Sequence, residues 1–354
     1  MQLGLIGLPL VGKTTLFDLL TEGRHRETVQ SKASVATVKI PDRRVDLLSN
    51  LFQPKKTTYA QLEIVDIPGL VPGSDKGASS FLNAVREADA LVHVVRAFVG
   101  DNVPHVEGDI DPIRDIELVN YELLLADLEL VEKRVARIKE GKKKHQNQEE
   151  LILLERLCGV LGEGRPIASL ELGDEEKNLL RNYQLLTIKP MLIVVNIGEE
   201  HLRDGEFPRR EEVLQYAAER GIPLLVMSAR IEAEIAELEG DEKALFMQDL
   251  GIEEPGAVRL ARTVYQLLGL ISFFTVGKDE VKAWTIQEGL TARKAAGKIH
   301  SDIERGFIRA EVVNFEDMVK WGSMTRIKEK GLFRLEGKEY VVKDGEIIHF
   351  RFNV

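Results

Sequence analysis

The sequence predicts an α/β fold with a parallel sheet, an inserted pair of helices and a smaller α+β domain at the carboxyl end. A glycine-rich loop follows the apolar run at residues 3–6, as in a strand that turns directly into a helix. Short apolar runs then alternate with helical patterns, which is typical of a parallel sheet covered on both faces. From about residue 271 the pattern changes to strands joined by glycine-rich turns, which indicates a separate module.

The loop at residues 7–14 has the pattern Gly-x-x-x-x-Gly-Lys-Thr. Such a loop points backbone N–H groups at a β-phosphate, while the lysine reaches the β and γ oxygens and the hydroxyl binds Mg²⁺. The helix after it adds its N-terminal dipole. A buried glycine-rich turn is the structural alternative. We predict that a nucleotide contacts Gly7, Leu8, Pro9, Leu10, Val11, Gly12, Lys13, Thr14 and Thr15.

The remaining elements of the sheet follow in order. Strands are predicted at residues 35–40, 61–66, 91–95, 191–196 and 224–228. Helices are predicted at residues 14–20, 43–52, 79–88 and 210–220. Because ligands of such sheets bind at the carboxyl ends of the strands, the residues that follow these strands are candidates for the site.

Between two of these strands, apolar residues recur at spacings of three and four. They are Tyr121, Leu124, Leu128, Val131, Val135 and Ile138, then Leu151, Leu154, Cys158 and Leu161. This heptad rhythm predicts two antiparallel helices that pack along a seam, with Cys158 in the packing. The lysines between the helices, at residues 142–144, are either a solvated turn or an RNA contact.

In the carboxyl-terminal module we predict strands at residues 272–276, 281–284, 339–342 and 347–352, with a helix from Thr291. Lys294, Lys298 and His300 lie on or next to this helix, where a solvated surface and an RNA contact are both open.

Length and composition bound the class of protein. A chain of 354 residues is long enough for two or three domains. The net charge of −10 argues against a protein coated in nucleic acid, although a local basic face is compatible with it. One cysteine, and no apolar run near the ~20 residues of a membrane span, predict a cytoplasmic protein without a membrane partner. We expect the protein to be a monomer that does not bind DNA in a sequence-specific way.

Asp66-Ile-Pro-Gly69 ends a predicted strand of the sheet. The Asp66 carboxylate can hold a Mg²⁺-bound water, and the Gly69 N–H can meet a γ-phosphate. Thr14 and Asp66 are therefore the predicted metal ligands, while Lys13 and Gly69 are predicted catalytic residues. Leu70 stands where many GTPases have a water-orienting glutamine, so we interpret it as a retracted hydrophobic residue.

The candidate base-binding residues follow two later strands. Asn196-Ile197-Gly198-Glu199 stands where a guanine-specific protein has Asn-Lys-x-Asp, so guanine selectivity is expected to be lost. Ser228-Ala229-Arg230 matches the loop that closes over the base through backbone contacts.

Together these motifs make the chain resemble the YchF or Obg-like ATPases, a branch of the translation-associated P-loop GTPases. The resemblance covers nearly the whole chain. It implies a P-loop G domain at residues 1–112 and 186–270, a coiled-coil hairpin at 113–185 and a TGS-like (β-grasp) domain at 271–354. It also implies ATP preference through Asn196 and Glu199, ribosome association, and His105 assisting hydrolysis in place of glutamine.

Three departures from the family pattern lie in the phosphate loop and in the two switch segments. Leu10 replaces an asparagine that binds a monovalent ion in potassium-stimulated relatives, which argues against potassium stimulation. The segment after Gly69 is shortened near residues 77–79, and residues 26–34 lack the family's first-switch pattern, leaving Thr28 as the nearest Mg²⁺-sensing threonine.

The function predicted from these motifs is a Mg²⁺-dependent switch that slowly hydrolyses ATP and acts with a ribosomal partner in translation or stress regulation. A GTPase of the same class is one alternative. A nucleotide-binding module with little turnover is the other.

Overall fold

The structure is a computed structural model that describes residues 1–21, 34–71, 75–100, 103–141 and 147–353. The chain forms two compact units. The first contains Met1–Thr37 and Glu63–Ala257, and the second contains Val38–Leu62 and Val258–Val354.

In chain order the strands are β1 (Gln2–Ile6), β2 (Ser34–Ile40), β3 (Lys56–Thr58), β4 (Ala60–Asp66), β5 (Ala90–Ala97), β6 (Met191–Ile197), β7 (Leu224–Met227), β8 (Leu270–Val276), β9 (Glu280–Gln287), β10 (Phe307–Asn314), β11 (Arg334–Glu336) and β12 (Glu346–Phe352). The helices are α1 (Lys13–Leu20), α2 (Arg43–Phe52), α3 (Asp75–Glu87), α4 (Pro112–Glu140), α5 (Gln148–Gly162), α6 (Asp174–Leu180), α7 (Arg210–Glu219), α8 (Ala229–Glu237), α9 (Gly240–Asp249), α10 (Gly256–Leu267), α11 (Ala292–Ile299), α12 (Ser301–Arg305), α13 (Phe315–Trp321) and α14 (Met324–Glu329).

The first sheet has the strand order β2-β4-β1-β5-β6-β7. The pairs from β4 to β7 are parallel. Every residue of β5 is buried, which explains why the sequence of this strand is an almost unbroken apolar run. The predicted strands of this sheet are confirmed, and the carboxyl ends of β1, β4, β5 and β6 lie along one edge.

Helix α4 takes part in two hydrophobic cores. Its first turns place Ile113 and Ile116 against β5, β6 and α7. Further along, Val131 and Ile138 pack with leucines of α5 in a second core, and Cys158 packs against that core as expected. Tyr121, predicted on the seam, is 60% exposed. The change from one core to the other therefore occurs within α4, which begins at Pro112.

A buried carboxylate fixes the base of the α4–α5 pair. Asp127 is fully buried, and its two oxygens accept hydrogen bonds from the backbone N–H groups of Leu186 and Thr187 and from the Thr187 hydroxyl, at 2.8–3.0 Å. Burial raises the pKa of Asp127 above its ordinary value, although these hydrogen bonds oppose the shift. The carboxylate holds the middle of α4 to the segment that leads into β6.

The second sheet has the order β11-β10-β12-β8-β9-β3. Its main core includes Phe273, Ile286, Val312 and Phe350, and α11 packs on it through three buried alanines. The strand predicted at residues 339–342 is wrong. Val341 forms only an isolated bridge to Thr291. The neighbouring backbone groups form hydrogen bonds with the residues just before α11 and with its first turn, so no longer ladder develops. Strands β10 and β11 were not predicted.

Residues 38–62 belong to the second unit, whereas the sequence placed them in the first domain. Strand β3 pairs parallel with β9, and the Thr58 hydroxyl donates to Glu280 at 2.6 Å. The Arg44 guanidinium contacts Asp344 at 2.7 Å. These contacts join positions more than 200 residues apart, which local sequence patterns cannot reveal. Among the described residues, no helix combines the length and apolar character needed to span a membrane.

Candidate functional site

The loop between β1 and α1 depends on glycine at two positions. Gly7 and Gly12 have φ angles of 141° and 98°, in the region that side chains disfavour. A Cβ atom on Gly7 would lie 2.3 Å from the Val94 carbonyl oxygen, and one on Gly12 would lie 2.3 Å from Asn196. Leu10 also adopts a positive φ of 61°, and its side chain is 52% exposed. The loop therefore packs tightly against β5 and β6, while its tip faces outward.

Lys13 lies inside the loop. Its Nζ donates to the Leu8 carbonyl at 2.7 Å and to the Gly7 carbonyl at 3.3 Å, and the residue is 7% exposed. Burial lowers the pKa of Lys13 to about 8, and the nearby Asp66 carboxylate opposes that shift. Because carbonyl oxygens are the main partners of this buried ammonium group, an approaching anion would stabilise it.

Thr14 and Asp66 meet at the mouth of the loop. The Thr14 Oγ1 atom donates to Asp66 Oδ2 at 2.9 Å. Burial raises the pKa of Asp66, while the Thr14 hydrogen bond and the Lys13 charge oppose the shift. A hydroxyl and a carboxylate oxygen beside a phosphate loop are the hard donors that Mg²⁺ prefers, so these two residues fit the ion.

The segment after β4 packs directly on the phosphate loop. A Cβ atom on Gly69 would lie 2.7 Å from the Pro9 backbone nitrogen, so only glycine fits this approach. The Leu70 N–H donates to the Gly7 carbonyl at 3.1 Å, and the Leu70 side chain is fully buried. Leu70 is retracted as expected, and it offers no polar group to a water.

Asn196 joins two loops of the site. Its amide nitrogen donates to the Val11 carbonyl at 2.9 Å, and its amide oxygen accepts the Ala229 N–H at 2.9 Å. The side chain is 5% exposed. Its visible role is to hold the phosphate loop and the start of α8 at a fixed separation.

The other residues of the predicted base motifs divide into buried and exposed sets. Ile197, Ser228 and Ala229 are buried. Glu199 begins a short 3₁₀ turn immediately after β6 and is exposed. Arg230 is exposed and pairs with Glu234 at 3.3 Å. Of this group, the Glu199 carboxylate is the side chain that remains free to read a base edge.

His105 lies in a closed hydrogen-bonded pair with Asp115, at the start of α4. Its Nε2 atom is 2.8 Å from Asp115 Oδ2, and its Nδ1 atom accepts the Glu107 N–H at 3.1 Å. Nε2 therefore carries the proton. The two side chains are 4% and 2% exposed. Both ring nitrogens are occupied, so in this conformation His105 has no nitrogen left for a water.

The chain is similar to known proteins over nearly its whole length. A Bacillus subtilis (strain 168) protein named Ribosome-binding ATPase YchF is 45% identical over 361 residues, covering 99% of both chains. The Escherichia coli O157:H7 protein of the same name is 41% identical, with 99% of both chains covered. The chain belongs to the YchF family.

Family models and a solved structure support the same assignment. One model, described as a 50S ribosome-binding GTPase, matches residues 2–132. Another, YchF-GTPase_C, described as a protein of unknown function, matches residues 270–353. The structure of the Schizosaccharomyces pombe YchF GTPase has a TM-score of 0.88 and 31% identity, and covers 99% of this chain and 97% of that chain. The first unit therefore has the P-loop G-domain fold that the sequence predicts.

Three residues that shape the site of this YchF-family chain were not predicted from its sequence. Arg96 is 2% exposed, and its guanidinium donates to the carbonyls of Val103 and Pro104 at 2.8 and 3.1 Å, which fixes the chain before His105. Asp115 holds the histidine itself. His93 is 1% exposed in β5, and burial, with a smaller effect of the Lys13 charge, lowers its pKa to about 3. His93 and Arg96 interrupt an apolar strand, which was the available signal.

Some predicted residues lie outside the described part of the chain. Thr28 and nearly all of the first switch belong to residues 22–33, and the lysines between α4 and α5 belong to residues 142–146.

Proposed function

We propose that this chain is a magnesium-dependent switch that binds and slowly hydrolyses ATP and associates with the ribosome. The observation that carries the proposal is the convergence of Lys13, Thr14, Asp66 and Gly69 on one loop. Each of these groups has the chemistry that phosphoryl transfer requires at that place.

The residues in and beside the loop would have different roles toward the phosphates. Lys13 would leave the Gly7 and Leu8 carbonyls and neutralise charge on the β and γ phosphates. Thr14 and Asp66 would hold Mg²⁺, directly or through its water, and the ion supplies further neutralisation of phosphate charge. Gly69 would present its N–H to the γ-phosphate, because its backbone lies against Pro9.

Glu199 supports the assignment of ATP over GTP. A guanine-specific aspartate accepts hydrogen bonds from the guanine N1–H and amine, and Glu199 is one methylene longer. Ile197 is buried where the guanine motif has a lysine. GTP is the second candidate substrate, since the S. pombe relative is titled a GTPase.

Activation of the water is the slow part of the proposed reaction. Leu70 is fully buried and apolar, so it cannot orient a water. We propose His105 for this role, which requires its ring to leave Asp115 or the Glu107 N–H. Breaking that pair before each turnover is consistent with a low basal rate.

The proposed ribosome association draws on the names of the relatives, which describe ribosome-binding ATPases. We further propose that residues 113–185 form the coiled-coil insertion and residues 271–354 a TGS-like domain. The α4–α5 core and the mixed second sheet support these two assignments. Either element would expose a surface to the ribosome.

Side-by-side titration with Mg-ATP and Mg-GTP tests the substrate. We expect tighter binding of ATP, and a Glu199→Asp variant should shift the preference toward GTP. Glu200→Asp, at the neighbouring exposed residue, is the matched control and should change neither affinity. Tighter binding of GTP by the unaltered protein would contradict the adenine assignment.

A nucleotide-binding module with little turnover remains the other candidate, favoured by the buried Leu70 and the engaged His105. Single-turnover hydrolysis with purified ribosomes separates it from the switch. A rate no higher than that of Lys13→Ala would leave only a binding role.

A further inference from the structure

The chain between β5 and α4 is drawn together by one buried side chain. Arg96 lies near the end of β5, and its guanidinium donates to the Phe98 carbonyl at 3.2 Å and to the Val103 and Pro104 carbonyls at 2.8 and 3.1 Å. We call this arrangement the neck, because Arg96 binds the chain at both ends of the intervening segment. His105 is the first residue after the neck.

The neck is closely packed, whereas the segment it closes faces outward. Arg96 is 2% exposed, and its guanidinium carbon lies 4.5 Å from the centre of the Phe98 ring. The Val103 N–H donates to the Gly100 carbonyl at 3.1 Å, while the Val99 side chain is 70% exposed. A planar guanidinium that lies over a ring and donates through three nitrogens has little freedom to move.

The neck does not depend on the hydrogen bond between His105 and Asp115. Burial lowers the pKa of Arg96, and the negative charge of Asp115 opposes that shift. Arg114 also holds the Asp115 carboxylate, with its Nη2 at 3.1 Å from Oδ1. When His105 leaves Asp115, the Pro104 carbonyl therefore stays on Arg96. The imidazole would turn about a fixed point and would not carry the preceding segment with it.

The neck is tied to the strands that carry the phosphate loop. Arg96 is paired with Asn196 in the β5–β6 register, which continues over seven residue pairs. The Asn196 amide nitrogen donates to the Val11 carbonyl of the phosphate loop at 2.9 Å. Because paired residues of neighbouring strands lie side by side, the sheet itself sets the separation between the neck and this loop.

We propose that Arg96 is a positioning residue for ATP hydrolysis, which holds the backbone before His105 at a fixed separation from the phosphate loop. A histidine released from Asp115 then has few positions to sample before it meets the attacking water. Such placement matters because a displacement of about 1 Å can slow an enzyme by about 100-fold. The inference rests on the water-activating role of His105 in the proposed function.

Arg96→Lys in the full-length protein tests the neck. Lysine keeps the charge, but a single ammonium cannot replace three nitrogens held in a plane. The single-turnover rate of ATP hydrolysis should fall at least about tenfold, while the affinity for Mg-ATP stays within about twofold.

Arg220→Lys is the matched control. Arg220 also lies over an aromatic ring, 3.9 Å from the centre of Tyr216, and donates to the Tyr216 carbonyl at 3.4 Å. It stands at the end of α7, outside the site. The control should change neither the rate nor the affinity, and a rate loss equal to that of Arg96→Lys would overturn the proposal.

A double-mutant cycle separates positioning from a general effect on the site. Arg96→Lys should slow the unaltered protein but should not slow His105→Ala any further, because no imidazole is left to position. Equal losses in both backgrounds would overturn the proposal. A loss of Mg-ATP affinity as large as the loss of rate would also overturn it, because Arg96 would then support nucleotide binding.

Hydrogen exchange and a milder variant test the neck independently of the rate. The Val103 N–H should exchange faster in Arg96→Lys, and unchanged exchange would overturn the proposal. Thermal unfolding reports whether that variant folds. Phe98→Leu removes the ring from the guanidinium but keeps the Phe98 carbonyl, and it should slow hydrolysis about threefold at unchanged affinity. An unchanged rate in Phe98→Leu, if Arg96→Lys does not fold, would overturn the proposal.

The same variants separate this inference from the proposed function. If His105→Ala slows hydrolysis and Arg96→Lys does not, the positioning role is wrong and the proposed function stands. If His105→Ala leaves the rate unchanged, the role proposed for His105 is wrong and the positioning role falls with it.

Discussion

At the residue scale, the His105–Asp115 pair decides whether the histidine is available. Asp115 is nearly buried, and burial raises its pKa although Arg114 and His105 oppose the shift. Arg114 also holds the carboxylate, with its Nη2 at 3.1 Å from Oδ1. In this conformation the pair engages the His105 Nε2 atom, so this nitrogen becomes available only when the hydrogen bond to Asp115 breaks.

Asp115→Asn should raise the single-turnover rate of ATP hydrolysis about fivefold. The change removes a charge-assisted hydrogen bond, and a loss of roughly 1 kcal/mol corresponds to that factor. The double variant His105→Ala/Asp115→Asn should return to the rate of His105→Ala. An increase that survives without the histidine would show that Asp115 acts through another route.

Gly69→Ala should weaken Mg-ATP binding more than about tenfold, because its Cβ would clash with the Pro9 backbone at 2.7 Å. Gly159→Ala, in α5, introduces the same methyl group where no atom lies within 4 Å. The control should leave ATP affinity unchanged and slightly raise the melting temperature. Equal ATP affinities for the two variants in a titration would contradict the packing of Gly69 on the loop.

At the scale of the elements, the sequence was informative wherever a strand is buried on both faces. Strands β5 and β6 stood out because parallel central strands need apolar, β-branched residues. Residues 339–342 have a similar apolar pattern, but their backbone forms hydrogen bonds with the residues at the start of α11 instead of joining a strand ladder. Periodicity cannot distinguish these cases, because hydrogen-bond partners lie elsewhere in the chain.

The buried carboxylate in α4 gives a stability prediction for this element. Asp127→Ala should lower the free energy of unfolding by about 3 kcal/mol, because it leaves the Leu186 and Thr187 N–H groups without partners inside the protein. Glu129→Ala, which removes only an exposed pair with Lys133, should cost less than about 0.5 kcal/mol. Denaturant unfolding measures both, and similar losses would mean that Asp127 is not a buried anchor.

At the scale of the whole molecule, the division of the chain could not be predicted. The phosphate loop, Asp66 and Gly69 were found because their spacing follows from phosphate chemistry. Asp115 was missed because its partner is fixed by the fold. The assignment of residues 38–62 to the second unit depends on pairing between β3 and β9, for which no local pattern exists.

Leu48→Ala tests that division. Leu48 of α2 is fully buried, and α2 packs on β8 and β9. The variant should lose about 2–5 kcal/mol, with faster hydrogen exchange in β8 and β9. Leu47→Ala, at a residue that is 37% exposed, is the control and should change exchange little. If exchange became faster only in the first sheet, the assignment of α2 to the second unit would be wrong.

The most direct test of the central claim is single-turnover hydrolysis of ATP and GTP by the purified protein, beside Lys13→Ala, with and without Mg²⁺. The account predicts slow, Mg²⁺-dependent hydrolysis that favours ATP and disappears in Lys13→Ala. Turnover unaffected by Lys13→Ala, or a consistent preference for GTP, would contradict it.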